Sequence, residues 1–140
     1  MLVFCSDLHL KDDTAGPSLA TDQINLLAER LESIAYQASW RSDGRYEPLQ
    51  AIDLVLLGDI FEVLQTERWL LKPNGEAETV RPWHDPQGAD FIAKVEEVVS
   101  AIIANNRAGL DILVAMAHGE RIELPPARRD GKPDEASRER

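Results

Sequence analysis

Two short stretches of this chain place ionisable groups where they could meet a metal ion. The first is Ser6-Asp7-Leu8-His9. In extended backbone alternate side chains share a face, so the spacing predicts that Asp7 and His9 point one way and Leu8 the other. A carboxylate beside an imidazole pairs a hard oxygen donor with a borderline nitrogen donor, a set that divalent metals accept. The plainer alternative is that Asp7 caps the next turn and His9 lies on the surface. The second stretch is Leu57-Gly58-Asp59-Ile60-Phe61-Glu62. Gly58 lets the backbone turn sharply or approach a ligand closely. Asp59 then either caps the next helix or stands beside Asp7. Two carboxylates converging at a dry strand end repel unless a cation neutralises them, so the two stretches together favour a metal site. A carboxylate there can bridge two cations about 3.5–4 Å apart, as in in-line phosphoryl displacement.

The elements that must position these groups follow from hydrophobic spacing. Met1 to Ser6 is short and apolar, and Val3 and Phe4 favour a strand. Ile24, Leu27, Leu31, Ile34 and Ala38 recur at helical intervals and predict a helix over 18–39, with Ser18 or Thr21 as its cap. Ile52 to Leu57 is nearly unbroken apolar sequence, as in a strand buried on both faces. A short helix is expected after Asp59. Residues 72–88 are rich in Pro and Gly and predict a long loop. Phe91, Val95, Val98 and Ile102 mark another helix, with Gly109 as its stop, and Asp111 to Met116 reads as a third strand. No internal repeat is visible. The expected order is β-α-β-α-β with parallel strands, and ligands then gather beyond their carboxyl ends.

Composition bounds the answer. The chain has 140 residues, 44% hydrophobic and 29% charged, which suits one globular domain. No apolar run approaches the roughly 20 residues that a membrane span needs. One cysteine excludes an internal disulfide framework. Asp7 interrupts the opening apolar segment, so a secretory signal is not expected and the cytoplasm is the expected location. Net charge is −10. Residues 1–120 hold 9 Lys and Arg against 20 Asp and Glu, a balance that repels phosphate backbones and argues against a general nucleic-acid grip. Residues 121–140 are dominated by Pro, Arg and Glu and predict a disordered tail.

With both stretches in view, SDLHL followed by LVLLGDIFE resembles the calcineurin-like metallophosphoesterase superfamily, whose first two motifs are Asp-x-His and Gly-Asp-x-x-(Asp/Glu). GDIFE is also similar to bacterial members that include the UDP-diacylglucosamine pyrophosphohydrolases. The resemblance implies a metal-dependent phosphoesterase acting on a phosphate monoester, diester or pyrophosphate through a metal-activated water. Asp7 and His9 would ligate the first metal and Asp59 would bridge both. Glu62 would support the loop by hydrogen bonding. The metal would be a divalent ion, first of all Mn²⁺, with Fe, Zn, Ni or Mg as alternatives. His118 aligns with the family histidine near the leaving group, but Met116 and Ala117 stand where the third motif has Gly and the metal-binding Asn. The family's later Gly-His and Gly-His-x-His are missing after His118, so the second metal site is expected to be incomplete.

The resemblance covers residues 1–120, the first half of a family domain, followed by the tail over 121–140. The expected architecture is therefore half of the four-layer αββα sandwich. A half-domain leaves one sheet face bare, which predicts an exposed apolar patch and self-association. A catalytically incomplete remnant or a partner-dependent subunit is the alternative to an active enzyme. Trp83-His84-Asp85 reads as an ordinary loop that Trp83 pins to the surface, Cys5 as a buried inert thiol, and Arg41 and Arg45 as exposed loop arginines.

Overall fold

The computed structural model describes residues 1–137. It is a mixed α/β chain with three α-helices and a two-stranded parallel sheet. Strand β1 is Leu2–Ser6, helix α1 Thr21–Ala38, strand β2 Asp53–Leu57, helix α2 Ala89–Asn105 and helix α3 Arg107–Ala117. Two 3₁₀ turns, Glu67–Trp69 and Glu135–Ser137, complete the order. The chain divides into two compact units. One comprises Met1–Cys5, Asp22–Val55 and the chain from Asp111 on; the other comprises Ser6–Thr21 and Leu56–Leu110.

In the first unit, α1 buries Ile24, Ala28, Leu31 and Ala35. This face is turned slightly from the predicted one: Ile34 is left exposed and two alanines take part instead. Tyr36, Trp40 and Tyr46 form an edge-to-face and tilted aromatic cluster, with centroids 5.4–6.4 Å apart. In the second unit, Leu8, Leu10, Trp69, Val98 and Ile102 are buried, and Trp69 stacks on Phe91 at 6.0 Å.

Three local predictions are corrected. Asp111 to Met116 is not a strand but part of α3. A short apolar run does not by itself separate strand from helix. The burial fits a helix: Gly109, Leu110, Ile112, Leu113, Ala115 and Met116 are sheltered, the i, i+3, i+4 and i+7 set Gly109, Ile112, Leu113 and Met116 among them, while Asp111, Val114 and Ala117 are exposed. Gly109 accordingly sits inside this helix rather than ending α2, which stops at Asn106. After Asp59 no α-helix follows; the chain runs to the 3₁₀ turn, which Thr66 caps by accepting from the Arg68 amide. Strand β2 is not buried on both faces, because the sheet has two strands: Leu54, Val55 and Leu56 are half-buried and Leu57 is exposed. In β1, Leu2 and Phe4 are 57% and 61% exposed and alternate with half-buried Val3 and Cys5.

A repeat is also present that the sequence pattern did not announce. Residues 40–46, 71–77 and 127–133 fold as the same small hairpin, closed by the antiparallel bridges Trp40–Tyr46, Leu71–Ala77 and Ala127–Pro133. Each has a basic residue at its second position, Asp or Asn at its fourth and Gly at its fifth. The Asp43, Asn74 and Asp130 side chains each accept from the amide two residues on, at 3.0, 3.1 and 3.1 Å. Gly44, Gly75 and Gly131 all take positive φ, at 79°, 83° and 75°. This is the three-residue turn with a left-handed glycine bulge. In the first unit the first and third hairpins meet, the Tyr46 amide donating to the Gly131 carbonyl at 2.7 Å. Three of the seven positions repeat in type, which is too few to register as a sequence repeat. The third hairpin lies within the segment predicted to be a disordered tail; the last three residues of that segment fall outside the described residues.

Candidate metal site

The site lies in the second unit, where the paired strands end. Parallel pairing continues past β1 and β2: the Asp7 amide donates to the Leu57 carbonyl at 3.1 Å, His9 to Asp59 at 2.9 Å and Leu10 to Ile60 at 2.9 Å, and the Glu62 amide returns to the Leu10 carbonyl at 2.9 Å. The two chemistry-bearing stretches are thus laced together by their own backbones. Leu8 and Leu10 are buried beneath them.

His9, Asp59 and Glu62 converge. One nitrogen of His9 and one carboxylate oxygen from each acid all lie within 4.8 Å of one another, and among the described residues this is the one cluster of its kind. His9 Nδ1 lies 3.1 Å from Glu62 Oε2, and Glu62 Oε1 accepts from the Leu64 amide at 3.3 Å. Burial pushes the Glu62 carboxyl up, but hydrogen bonds from His9 and from the amides of Leu64 and Gln65, with the attraction of His9, outweigh it and hold the group below its ordinary value. Asp59 is exposed and His9 half-buried, so the site opens to solvent; the expected dry strand end is not what forms.

Asp7 stands outside this cluster of three. Its carboxylate Oδ1 is turned onto the neighbouring backbone, 3.4 Å from the Asp59 amide. A Cβ placed on Gly58 would come within 2.3 Å of the same oxygen, so the missing side chain is what admits Asp7 to this position. Nor are Asp7 and His9 extended, as alternation along a strand had required. Their φ angles are 60° and 47°, in the left-handed region. The strand ends at Ser6, and the chain turns at each chemical residue. For a residue with a Cβ this conformation costs about 1–2 kcal/mol.

His118 follows α3, not a strand, and is exposed in the turn after that helix in the first unit. The positional match that tied it to the end of a third strand therefore falls with that strand. Trp83 is 78% exposed and pins nothing. His84 is exposed beside it. Arg41 pairs with Glu47 at 2.8 Å.

The same unit holds a polar chain that sequence spacing could not reveal. Asp12, three residues beyond His9, is buried and takes hydrogen bonds from Thr66 at 2.6 Å, Thr14 at 2.7 Å and Arg68 at 2.8 Å. Burial raises its carboxyl, and these donors together pull it below the usual value. Arg68 also reaches Glu97 at 3.3 Å, Glu97 binds Lys94 at 2.9 Å, and Lys94 binds Glu78 at 2.8 Å. Apart from Thr14, each partner lies tens of residues from Asp12 in sequence, so only the folded chain shows them together. No protein-family model, curated protein or solved structure matches the chain.

Proposed function

We propose that His9, Asp59 and Glu62 hold a divalent cation and that this centre is the core of a metal-dependent phosphoesterase. The observation that carries the reading is the convergence of one imidazole and two carboxylates within 4.8 Å. That donor set suits Mn²⁺, and also Fe, Zn, Ni or Mg. The reaction class comes from the resemblance of the Asp7–His9 and Gly58–Asp59 stretches to the calcineurin-like superfamily, and with it the reading of this two-stranded sheet as part of a four-layer αββα sandwich. The substrate class is a phosphate monoester, diester or pyrophosphate.

When bound, the cation supplies Lewis acidity and makes water a stronger acid at neutral pH. The chain's own groups do the positioning. His9 Nδ1 and Glu62 Oε2 lie 3.1 Å apart and would both face the cation, each fixing the position of the other. Asp7 steadies the Asp59 amide and adds a further negative charge on the same pair of loops. The test is a manganese titration followed by electron paramagnetic resonance, with hydrolysis of an aryl phosphodiester measured alongside. The expected outcome is binding and turnover in the wild type and neither in Asp59→Ala. Equal binding in the two proteins would overturn the proposal. One specific observation favours a second reading. The described residues provide a cluster for one cation, not for two. Binding abolished by Asp59→Ala, with no turnover in either protein, would select a catalytically incomplete remnant or a partner-dependent subunit.

A further inference from the structure

The threefold hairpin exposes one residue that differs in kind. At the fourth position two copies carry a carboxylate, Asp43 and Asp130, and the other carries an amide, Asn74. We propose that Asn74-Gly75 is a site of spontaneous deamidation and that this turn is already shaped to accept the aspartate product.

The chemistry needs a backbone nitrogen free to reach the asparagine side chain. The Gly75 nitrogen attacks Asn74 Cγ, the Cγ–Nδ2 bond breaks, and ammonia leaves with the amide proton. A cyclic imide results. Water then opens it at either carbonyl, giving aspartate, or isoaspartate with the main chain rerouted through the side chain. The net change is one water consumed and one ammonia released. No enzyme or cofactor is needed.

The four asparagines are unequal for this step. Asn74 is followed by the only glycine in such a pair, and Asn74, Gly75 and Glu76 are all exposed. Nothing lies within 4 Å of where a Gly75 Cβ would be, so no neighbour shields the nitrogen from that side. Two hydrogen bonds of the turn must open first, from the Gly75 amide to the Lys72 carbonyl at 2.9 Å and from the Glu76 amide to Asn74 Oδ1 at 3.1 Å. Exposed turns sit at the low end of local stability and open readily. Asn25 lies within α1 and precedes leucine. Asn105 ends α2 with its Nδ2 on the Lys11 carbonyl, and Asn106 is buried with hydrogen bonds to Lys11, Ile102 and Ser18.

The two products have opposite consequences. Aspartate restores the chemistry of the other two hairpins, whose carboxylates hold the same amide at the same distance. Isoaspartate lengthens the main chain by one carbon and breaks the register that places the Glu78 amide on the Leu70 carbonyl at 2.8 Å. Glu78 is the buried partner of Lys94, so that product also loosens the ion pair.

The full chain is incubated at mildly alkaline pH and physiological temperature, digested, and mapped by mass spectrometry in ¹⁸O-labelled water. The expected result is a gain of one mass unit, raised by label uptake, at Asn74 and at least an order of magnitude faster than at Asn25, Asn105 or Asn106. Comparable rates at all four positions would overturn the site. The Asn74→Asp variant tests the second half directly. Its urea midpoint should match the wild type, and a clear loss of stability would refute the claim that the turn accepts aspartate.

Discussion

The mouth of the strands and the three hairpins solve the same geometric problem with different residues. Both need backbone at positive φ. The hairpins give every such position to glycine, at 44, 75 and 131. The strand mouth gives one to Gly58, but two others to Asp7 and His9. Where the hairpins only have to reverse the chain, they use the residue that adopts this conformation freely; Asp13, at a φ of 64°, shows that a turn outside the site also places a non-glycine residue there. Where the chain must also present an imidazole and a carboxylate, side chains with a Cβ sit in the left-handed region at a cost. Such outliers are retained where surrounding structure over-determines them, and they concentrate at functional positions. Here the backbone ladder from Asp7 to Glu62 is the over-determining structure.

The largest effect separates the hairpins from one another. The second hairpin leads directly into Glu78, whose carboxylate is buried on Lys94. The corresponding acid after the first hairpin, Glu47, makes an exposed pair with Arg41. Lys94→Met should cost about 3 kcal/mol by stranding a buried carboxylate. Arg41→Met should cost under about 1 kcal/mol. Urea denaturation of the two variants checks the contrast; equal losses would mean that burial at Glu78 has no energetic weight. Acid should act on the same pair. The hydrogen bond from Lys94 and the amides of Val80 and Thr79 hold the Glu78 carboxyl at about 2, against an ordinary value of 4.5. A lowered folded-state value stabilises the fold above the unfolded value and loses that stabilisation as pH falls through the folded one. Its contribution should therefore fade between about pH 4.5 and 2 in the wild type. In Lys94→Met the folded-state value rises toward the unfolded one, so the fading should be smaller and end at higher pH.

At the strand mouth, two substitutions should move stability in opposite directions. Gly58→Ala brings a Cβ to 2.3 Å from Asp7 Oδ1 at a φ of 69°. The left-handed penalty and the displaced carboxylate together should cost about 2 kcal/mol and weaken Mn²⁺ binding. His9→Gly relieves a left-handed residue and should gain up to about 1 kcal/mol while abolishing binding. Thermal denaturation with and without manganese reads both. A destabilised His9→Gly would show that the imidazole contributes to the fold more than its backbone costs.

The adjacency of the two chemistry-bearing stretches was legible, but the membership of the cluster was not: it takes in Glu62, read as a support for the loop, and leaves out Asp7. Asp7, His9, Gly58 and Asp59 lie in short stretches beside apolar strands, so local sequence was enough to bring the stretches together. Their conformation was not legible, because alternation assumes an extended chain and the chain leaves the extended region at Asp7. Helices α1 and α2 were legible from periodicity. Helix α3 was masked by the apolar run from Ile112 to Met116, and by Gly109, which signals a stop but here lies inside the helix. Asp12 and Lys94 were beyond reach, since the groups that satisfy a buried charge are chosen by tertiary structure. The hairpins hid because backbone hydrogen bonds define them, and only the Asp/Asn-Gly pair reports those bonds in the sequence.

The smallest effects lie at the hairpin glycines, and they bear most directly on why the strand mouth differs. Gly44→Ala and Gly75→Ala introduce a Cβ into open space, so each should pay the left-handed penalty alone, about 1 kcal/mol. Gly131→Ala adds contact with the Arg45 side chain at 3.4 Å, an ordinary separation at the flexible stem of an arginine. It should therefore cost little more than the other two. Three nearly equal losses in urea midpoint would calibrate the cost of a Cβ in this backbone within the same protein, and that value could then be set against the gain from His9→Gly. A gain at His9 matching the hairpin loss would mean that the strand mouth carries the full backbone penalty for presenting its imidazole. A much smaller gain would mean that the ladder from Asp7 to Glu62 has already relieved most of it.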